Sequence, residues 1–310
     1  MLEKTGKPLT LQYLYKFRYL YAMAAPALIL VFVFNYLPLF GWIIAFKNYR
    51  AGKNLFDSEW IGLQQFKAFL YQSSDYGYLL RNTLVMNISM LILNLFVAVA
   101  FAILLNELRN KFFAKTIQTI SFFPFFISWI IIYSLVNGFL GVSTGAFNLS
   151  LVHWGIIPEG LNILGDPKYS WALIVLIALW KSLGYNAIIF IAAISSISPE
   201  EYEAADIDGA SRWQKIRHVT IPNLMSTLIV LLIMNSGWIL NSNFDLYYLF
   251  TNATNWTRME VLDIYIYKYG LQLGNYPYAT AVGIMKTVVA LALLLLVNTI
   301  SKRVNNRGIL

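Results

Sequence analysis

Residues Thr83 to Leu105 read TLVMNISMLILNLFVAVAFAILL, a run of 23 residues that contains no lysine, arginine, aspartate or glutamate. About 20 apolar residues are enough for an α-helix to cross the hydrocarbon core of a bilayer. In lipid, only a helix or a closed barrel satisfies every backbone N–H and C=O group, and a barrel strand alternates polar and apolar residues. The continuous run therefore predicts a membrane-spanning helix.

Five further stretches share this character, so the sequence predicts an all-α fold: a single polytopic membrane domain over residues 1–310 with six transmembrane helices. The predicted spans are Leu20 to Phe46, Thr83 to Leu105, Ile117 to Leu140, Trp171 to Ile194, Leu224 to Phe244 and Ala279 to Ser301. The composition agrees, because 58% of the residues are hydrophobic and 12% are charged, against about 25% charged in soluble domains. It excludes a disordered chain, and the absence of cysteine excludes a disulfide-stapled domain and thiolate metal sites.

The charges of the loops predict which side each loop faces. One set of loops comprises residues 1–19, 106–116, 195–223 and 302–310, and the other comprises 47–82, 141–170 and 245–278. The first set holds 13 lysines and arginines in 68 residues, and the second holds 8 in 100. Cytoplasmic loops carry the excess of basic residues, so both termini are predicted to be cytoplasmic. We therefore interpret the net charge of +8 as a topology signal and not as a nucleic-acid site. The first run is too long for a signal peptide and is expected to remain as a span.

The 29-residue connection 195–223 is the longest of the predicted cytoplasmic loops. Ser198-Pro199 followed by Glu201 has the pattern of a helix N-cap, a first-turn proline and a capping-box glutamate. Gly209 can end that helix, and Ser211 with Gln214 forms a second capping box that opens another short helix. The loop is therefore predicted to be a helix-turn-helix that presents charged residues beneath the bilayer, which suits a docking surface.

The same loop resembles a known motif. Glu203-Ala204-Ala205, then Asp206 to Gly209, then eleven residues and Ile221-Pro222 is similar to the EAA loop of permeases from binding-protein-dependent ABC importers. That pattern has an acidic residue and two alanines, a glycine four positions on, and a hydrophobic residue followed by proline. Ile221 stands where the family often has leucine. A further likeness to the polysaccharide and uronate-oligosaccharide branch rests on residues 241–245, 261–267 and 278–283.

The resemblance implies a role for the loop and a set of partners. The loop would be the coupling helix that docks into a cytoplasmic ATPase subunit, and its coupling residues would be Glu203, Ala204, Ala205, Asp206, Gly209, Ile221 and Pro222. The implied partners are a second permease, expected to be a different paralogue, two ATP-binding subunits and an extracytoplasmic solute-binding protein. The chain would lie in the cytoplasmic (inner) membrane of a prokaryote and import an oligosaccharide by alternating access. ATP and Mg²⁺ would bind the partner ATPases, and this chain would hold no cofactor.

The sequence lacks the residues of an enzyme site. No glycine-rich loop ends in Gly-Lys-Ser/Thr, so ATP hydrolysis is expected on another polypeptide. His153 and His218 are the only histidines, and the predicted topology places them on opposite sides of the membrane, which argues against a metal site. Residues 141–145 match the Gly-x-Ser-x-Gly elbow of hydrolases, but they follow a membrane helix instead of a strand. The chain is therefore expected to be non-catalytic.

Polar residues inside the predicted spans are candidates for a substrate pathway, since ionisable groups within a membrane normally face a cavity or a partner. The candidates are Lys181, Asn186, Asn235, Trp238, Asn241, Ser242, Asp245 and Lys286. Asn235, Trp238, Ser242 and Asp245 would share one stripe of a helix, where amide, hydroxyl and indole groups suit a sugar. The same groups can instead hold membrane helices together. The two lysines could attract uronate carboxylates, pair with Asp245 or contact the second permease.

Two alternatives belong to other classes. A secondary transporter of a small polar solute would work without an ATPase, and the EAA-like loop would then have no role. A membrane enzyme would need an acid–base or metal constellation, which the sequence does not supply.

Overall fold

The computed structural model describes residue 15 and residues 17 to 305, and these residues form helices joined by loops, with one isolated bridge between Lys47 and Trp60. The termini predicted to be cytoplasmic, residues 1–14 and 306–310, lie outside the described residues. The α-helices are α1 (Arg18–Val31), α2 (Gln64–Lys67), α3 (Asp75–Glu107), α4 (Lys111–Phe122), α5 (Trp129–Leu140), α6 (Ala146–His153), α7 (Pro167–Ser195), α8 (Pro199–Ile207), α9 (Arg212–Lys215), α10 (Ile221–Ser236), α11 (Phe244–Phe250), α12 (Trp256–Met259), α13 (Leu262–Tyr267) and α14 (Tyr276–Asn305).

Among the described residues, five uninterrupted helices are long and apolar enough to cross a membrane, and a bent pair makes a sixth span if it is counted as one. The uninterrupted helices cover Arg18–Phe46, Asp75–Glu107, Pro167–Ser195, Arg212–Ser236 and Tyr276–Thr299. The first comprises α1, a π-helical turn and the 3-10 segment Leu37–Phe46. This architecture confirms the predicted all-α polytopic fold.

Two buried clusters lie where α3 and α7 pack together, and another lies between α3, α13 and α14. One buried cluster contains Met86, Ile174 and Tyr247, and a second contains Ala98 and Phe190. No residue of α1 is buried. The apolar surface of α1 is therefore available to lipid or to another subunit.

The predicted third span, Ile117 to Leu140, is broken. The helical segments Lys111–Phe126 and Trp129–Leu140 meet at 103°, because Ile127 and Ser128 have extended backbones. The Lys181 ammonium group on α7 donates to the carbonyls of Pro124, Phe125 and Ile127. These are carbonyls at the end of the first segment, where the helix macrodipole favours a cation.

The predicted fifth span, Leu224 to Phe244, is wrong at its C-terminal end. The helix ends at Ser236 and irregular backbone follows until α11 begins. Irregular backbone at membrane depth needs partners inside the protein. Asn87 on α3 donates to the Ile239 carbonyl at 2.9 Å, and Asp263 on α13 accepts from the Ser242 N–H at 2.8 Å. Side chains from two other elements thus replace the missing helical hydrogen bonds.

The N-terminal end of this span also differs from the prediction. The helix that opens after Ser211 is not short, because it continues through α9 and a π-helical turn (Ile216–Thr220) into α10. A proline inside an α-helix clashes with the carbonyl four residues earlier, and the π-turn lies immediately before Ile221-Pro222. There the Ile221 N–H bonds to Ile216. The wider turn accommodates Pro222 without ending the helix.

Candidate functional sites: an exposed loop and an amide-lined cavity

The loop 198–222 has the predicted caps at Ser198 and Ser211 and the predicted turn at Gly209, although its second helix is longer than predicted. The Ser198 hydroxyl accepts from the Glu200 N–H at the start of α8. Gly209 has a φ of +72°, a conformation that glycine adopts without strain. Ser211 and Gln214 form the complete capping box at the start of α9. The helix-turn-helix prediction is therefore confirmed.

Side-chain contacts hold this loop against the following helix. The Tyr202 and Thr220 hydroxyls are 3.0 Å apart, and the Asn223 amide donates to Glu201 at 2.7 Å. Glu201 therefore does not close a capping box with Ser198. Lys215 and Asp206 form an ion pair of 2.7 Å across the turn. These contacts allow the loop to move with α10 as one body.

The residues left exposed define the surface that the loop offers. Glu203, Ala204, Asp206 and Gly209 are exposed, and Ala205 is half-buried. Ile221 and Pro222 are also exposed. Two apolar side chains that the sequence analysis did not single out are more prominent, because Ile207 is 86% and Trp213 is 69% exposed. The sequence could have indicated both residues, because large apolar side chains are unusual in a charged loop.

A cavity of about 430 Å³ lies between α3, α7 and α10. Four of the predicted pathway residues line it together, namely Asn186, Asn235, Trp238 and Asn241. Asn87, Asn94 and Tyr185 also line it and were not predicted from the sequence. Asn87 and Asn94 are seven residues apart on α3, so they share one helix face. That spacing within an apolar run was a signal for them.

Hydrogen bonds fix the positions of several cavity amides. The Asn94 carbonyl oxygen accepts from the Ser182 hydroxyl and from the Asn186 amide. Asn87 donates to the Ser242 hydroxyl at 3.1 Å, and Asn235 donates to the carbonyl of Leu231 at 2.7 Å. Asn87, Asn94 and Asn186 therefore link different elements, whereas Asn235 bonds within its own helix. The contacts between helices confirm that some of these polar residues hold helices together, and a role in a substrate pathway stays a prediction.

The charged candidates do not line this cavity. Lys181 contacts the carbonyls at the break in the third span. Lys286 forms an ion pair with Asp263 and borders a second cavity of about 410 Å³ that also contains Asn241. Neither lysine pairs with Asp245, which is exposed. The predicted stripe from Asn235 to Asp245 does not exist, because the helix ends at Ser236.

The lining of the amide cavity contains no titratable cation or carboxylate; its polar groups are asparagine amides, the Trp238 indole and the Tyr185 hydroxyl. Amides donate and accept hydrogen bonds, and indole and phenol rings offer apolar faces. This set suits an uncharged polyhydroxy surface. Within residues 17–305, no group of three or more histidine, aspartate or glutamate side chains could hold a metal ion.

Comparisons with known proteins agree with one another. Residues 94–307 match the family described as binding-protein-dependent transport system inner membrane component. Protein LplB of Bacillus subtilis (strain 168) is 38% identical over 89% of this chain and 86% of its own length. The polygalacturonan/rhamnogalacturonan transport system permease protein YteP of the same organism is also 38% identical, over 89% of this chain and 85% of its own.

Solved structures show the same similarity in three dimensions. A chain of a bacterial ABC transporter involved in the import of the acidic polysaccharide alginate superposes with a TM-score of 0.86 at 35% identity, covering 95% of this chain and 98% of that one. A chain from the bacterial alginate ABC transporter in complex with an alginate pentasaccharide-bound periplasmic protein gives a TM-score of 0.87 at 34% identity, covering 96% of this chain and 99% of that one.

Proposed function

Because this chain belongs to the family of binding-protein-dependent transport system inner membrane components, we propose that it is one permease subunit of an ATP-driven importer that brings an acidic oligosaccharide into the cell. The observation that carries the proposal is the amide cavity. Asn87, Asn94, Asn186, Asn235 and Asn241 converge there from α3, α7 and the end of α10. An array of amides between membrane helices serves a polar solute better than it serves lipid.

The cavity is proposed to bind the uncharged part of the sugar. Amide groups of Asn186 and Asn235 would exchange hydrogen bonds with hydroxyls, and the 69% exposed Trp238 would pack its indole against the apolar face of a pyranose ring. Support for carboxylate groups on the sugar comes from the relatives, since YteP and the alginate transporters are named for acidic polysaccharides. Lys181 and Lys286 are occupied by internal partners and do not supply the counter-charge.

The exposed loop is proposed to receive an ATPase subunit. Ile207, Trp213 and the surface of Glu203 and Ala204 would seat in a groove of that subunit. Since Tyr202 and Glu201 fasten the loop to α10, movement of the ATPase pair would be transmitted to the helix that lines the cavity. ATP and Mg²⁺ would bind the ATPase subunits, with a second permease chain and an extracytoplasmic solute-binding protein completing the importer.

The test is uptake by the complex reconstituted in liposomes, with labelled oligogalacturonide outside and ATP inside. Asn186→Ala and Trp238→Ala are expected to raise the KM of uptake by about tenfold, because one polar or aromatic contact of about 1.4 kcal/mol is lost. Trp154→Ala is the control, since Trp154 is 70% exposed and lies outside the cavity. Uptake by this chain without any ATPase would instead identify a secondary transporter and would overturn the proposal.

A further inference from the structure

Two arginines contact the same tryptophan on the side of the molecule predicted to face outward. The guanidinium carbon of Arg258 lies 4.4 Å from the centroid of the Trp171 ring, and that of Arg81 lies 5.7 Å from it. Arg81 comes from α3, Trp171 from α7 and Arg258 from α12. Cation–π contacts of this kind stabilise each arginine individually, but they also bring two like charges together.

Further hydrogen bonds fix the geometry of this group. The Trp171 indole N–H donates to the carbonyl of Arg258 at 2.7 Å. Arg81 donates to the carbonyl of Thr257 at 3.0 Å and to the Asn82 carbonyl oxygen at 3.2 Å. Hydrogen bonds thus hold the Arg81 guanidinium group, whereas the Arg258 guanidinium group is held by its stacking on Trp171 and by the fixed position of its backbone. Such preorganisation reduces the entropy lost on binding.

Among the residues whose side chains are described, no carboxylate forms an ion pair with Arg81 or Arg258. The ion pairs found there are made by lysines. The neighbouring acid, Glu260, is 3% exposed and is already engaged. It accepts from the Tyr78 hydroxyl at 2.6 Å and pairs with Lys268 at 3.0 Å. Arg81 uses its Nε and Nη2 donors internally and keeps Nη1 for a ligand. The Arg258 guanidinium group makes no hydrogen bond within the described residues, so it can bind a carboxylate in a bidentate manner while Arg81 adds a donor from Nη1.

The position of the pair separates it from the amide cavity. Arg81 is exposed, and it is six residues before Asn87 on α3, which places the two side chains on different faces of the helix. Trp171 is fifteen residues before Asn186 on α7, a distance of about 22 Å along the helix axis at 1.5 Å per residue. An anion would thus reach the arginines from the outer surface and not from the cavity.

We propose that Arg81 and Arg258, held on Trp171, form a docking site for an acidic side chain of the extracytoplasmic solute-binding protein. The inference rests on the proposed function, which supplies that partner. Charge complementarity and outward exposure favour a protein carboxylate over a sugar carboxylate, because the pair lies off the face of α3 that borders the cavity. The site would orient the binding protein above α3, α7 and α12.

The test measures the Kd between the assembled transporter, in nanodiscs of neutral phosphatidylcholine, and the binding protein that stimulates its ATPase activity. Arg81→Gln and Arg258→Gln are each expected to raise the Kd by about tenfold, as expected for the loss of a charge-assisted hydrogen bond. Each should also weaken the dependence of the Kd on salt concentration. Lys53→Gln removes an exposed charge from another predicted outer loop and should leave the Kd unchanged. ATPase activity without the binding protein should stay at the wild-type level in all three.

Arg81→Gln is the decisive variant, because Arg81 is exposed and glutamine is expected to leave the chain folded even if Arg258→Gln does not assemble. A wild-type Kd for this variant would overturn the inference while the importer function stands. If Arg81→Gln leaves the Kd for the binding protein unchanged but raises the KM for oligogalacturonide, the arginines bind the sugar instead of the binding protein, and the inference is also overturned. Failure of every binding protein to engage the wild-type transporter would overturn both proposals.

Discussion

At the scale of single residues, the Lys286–Asp263 pair is expected to be the most sensitive charged contact. The side chains are 10% and 22% exposed, and Asp263 also accepts from the Ser242 N–H at the break after α10. Asp263→Asn would leave the lysine charge buried without a counter-charge, which costs about 3 to 5 kcal/mol. We expect a clearly lower thermal unfolding midpoint of the purified protein.

The double variant Lys286→Met/Asp263→Asn should unfold at a higher temperature than Asp263→Asn alone, because it removes the unpaired charge. The surface pair is the control: Asp206 is 60% exposed in its ion pair with Lys215, and Lys215→Met should cost no more than about 1 kcal/mol. Equal thermal unfolding midpoints for Asp263→Asn and Lys215→Met would show that the Lys286–Asp263 pair is no more important for stability than the surface pair.

The role of polar residues within apolar runs was only partly predictable. Their cost in lipid marked Lys181, Lys286 and Asn186 as residues with a partner or a cavity. The partners of Lys181 are backbone carbonyls at a helix break, and backbone groups carry no residue signature in the sequence. Four of the eight pathway candidates line one cavity. The two lysines instead contact backbone carbonyls and Asp263.

At the scale of helices, Gly184 fixes the contact between α4 and α7. A Cβ atom at this position would lie 2.2 Å from the Ser121 carbonyl oxygen and 2.4 Å from the Phe122 nitrogen. Since these are backbone atoms, Gly184→Ala must push the helices apart, at a cost of about 1 to 3 kcal/mol. Gly138→Ala is the matched control, because a Cβ there meets nothing within 4 Å. Thermal unfolding of both variants measures the difference, and an unaffected Gly184→Ala would show that the helices do not pack this closely.

Helix existence was predictable, but helix breaks were not. Pro26 lies inside α1 and Pro222 lies inside the continuous helix Arg212–Ser236, yet both helices continue, whereas the third span breaks after Pro124. Proline alone does not decide the outcome. A break also requires side chains from other elements, such as Lys181 and Asp263, that satisfy the freed backbone groups, and that arrangement exists only in the folded chain.

At the scale of the whole molecule, the loop 198–222 is expected to control assembly with the ATPase. Trp213→Ala removes a large exposed apolar side chain and should reduce the amount of ATPase subunit that co-purifies with the chain. Trp154→Ala is the matched control, because this tryptophan is equally exposed but lies on the predicted outer side. Glu203→Lys and Gly209→Pro should uncouple ATP hydrolysis from uptake without preventing membrane insertion. Normal coupling in all these variants would remove the loop from the ATPase interface.

The orientation of the whole chain can be tested directly, because the sequence contains no cysteine. Ser211→Cys would place one thiol in the exposed loop, and Ser143→Cys would place one in the predicted outer loop 141–170. Ser211 is a helix cap, so this substitution costs about 1 kcal/mol and should not prevent insertion. In intact cells, a membrane-impermeant maleimide is expected to label the cysteine at 143 and to spare the one at 211 until the membrane is opened. The reverse pattern would place the loop outside, where no cytoplasmic ATPase could bind it, and the proposed coupling mechanism would then be impossible.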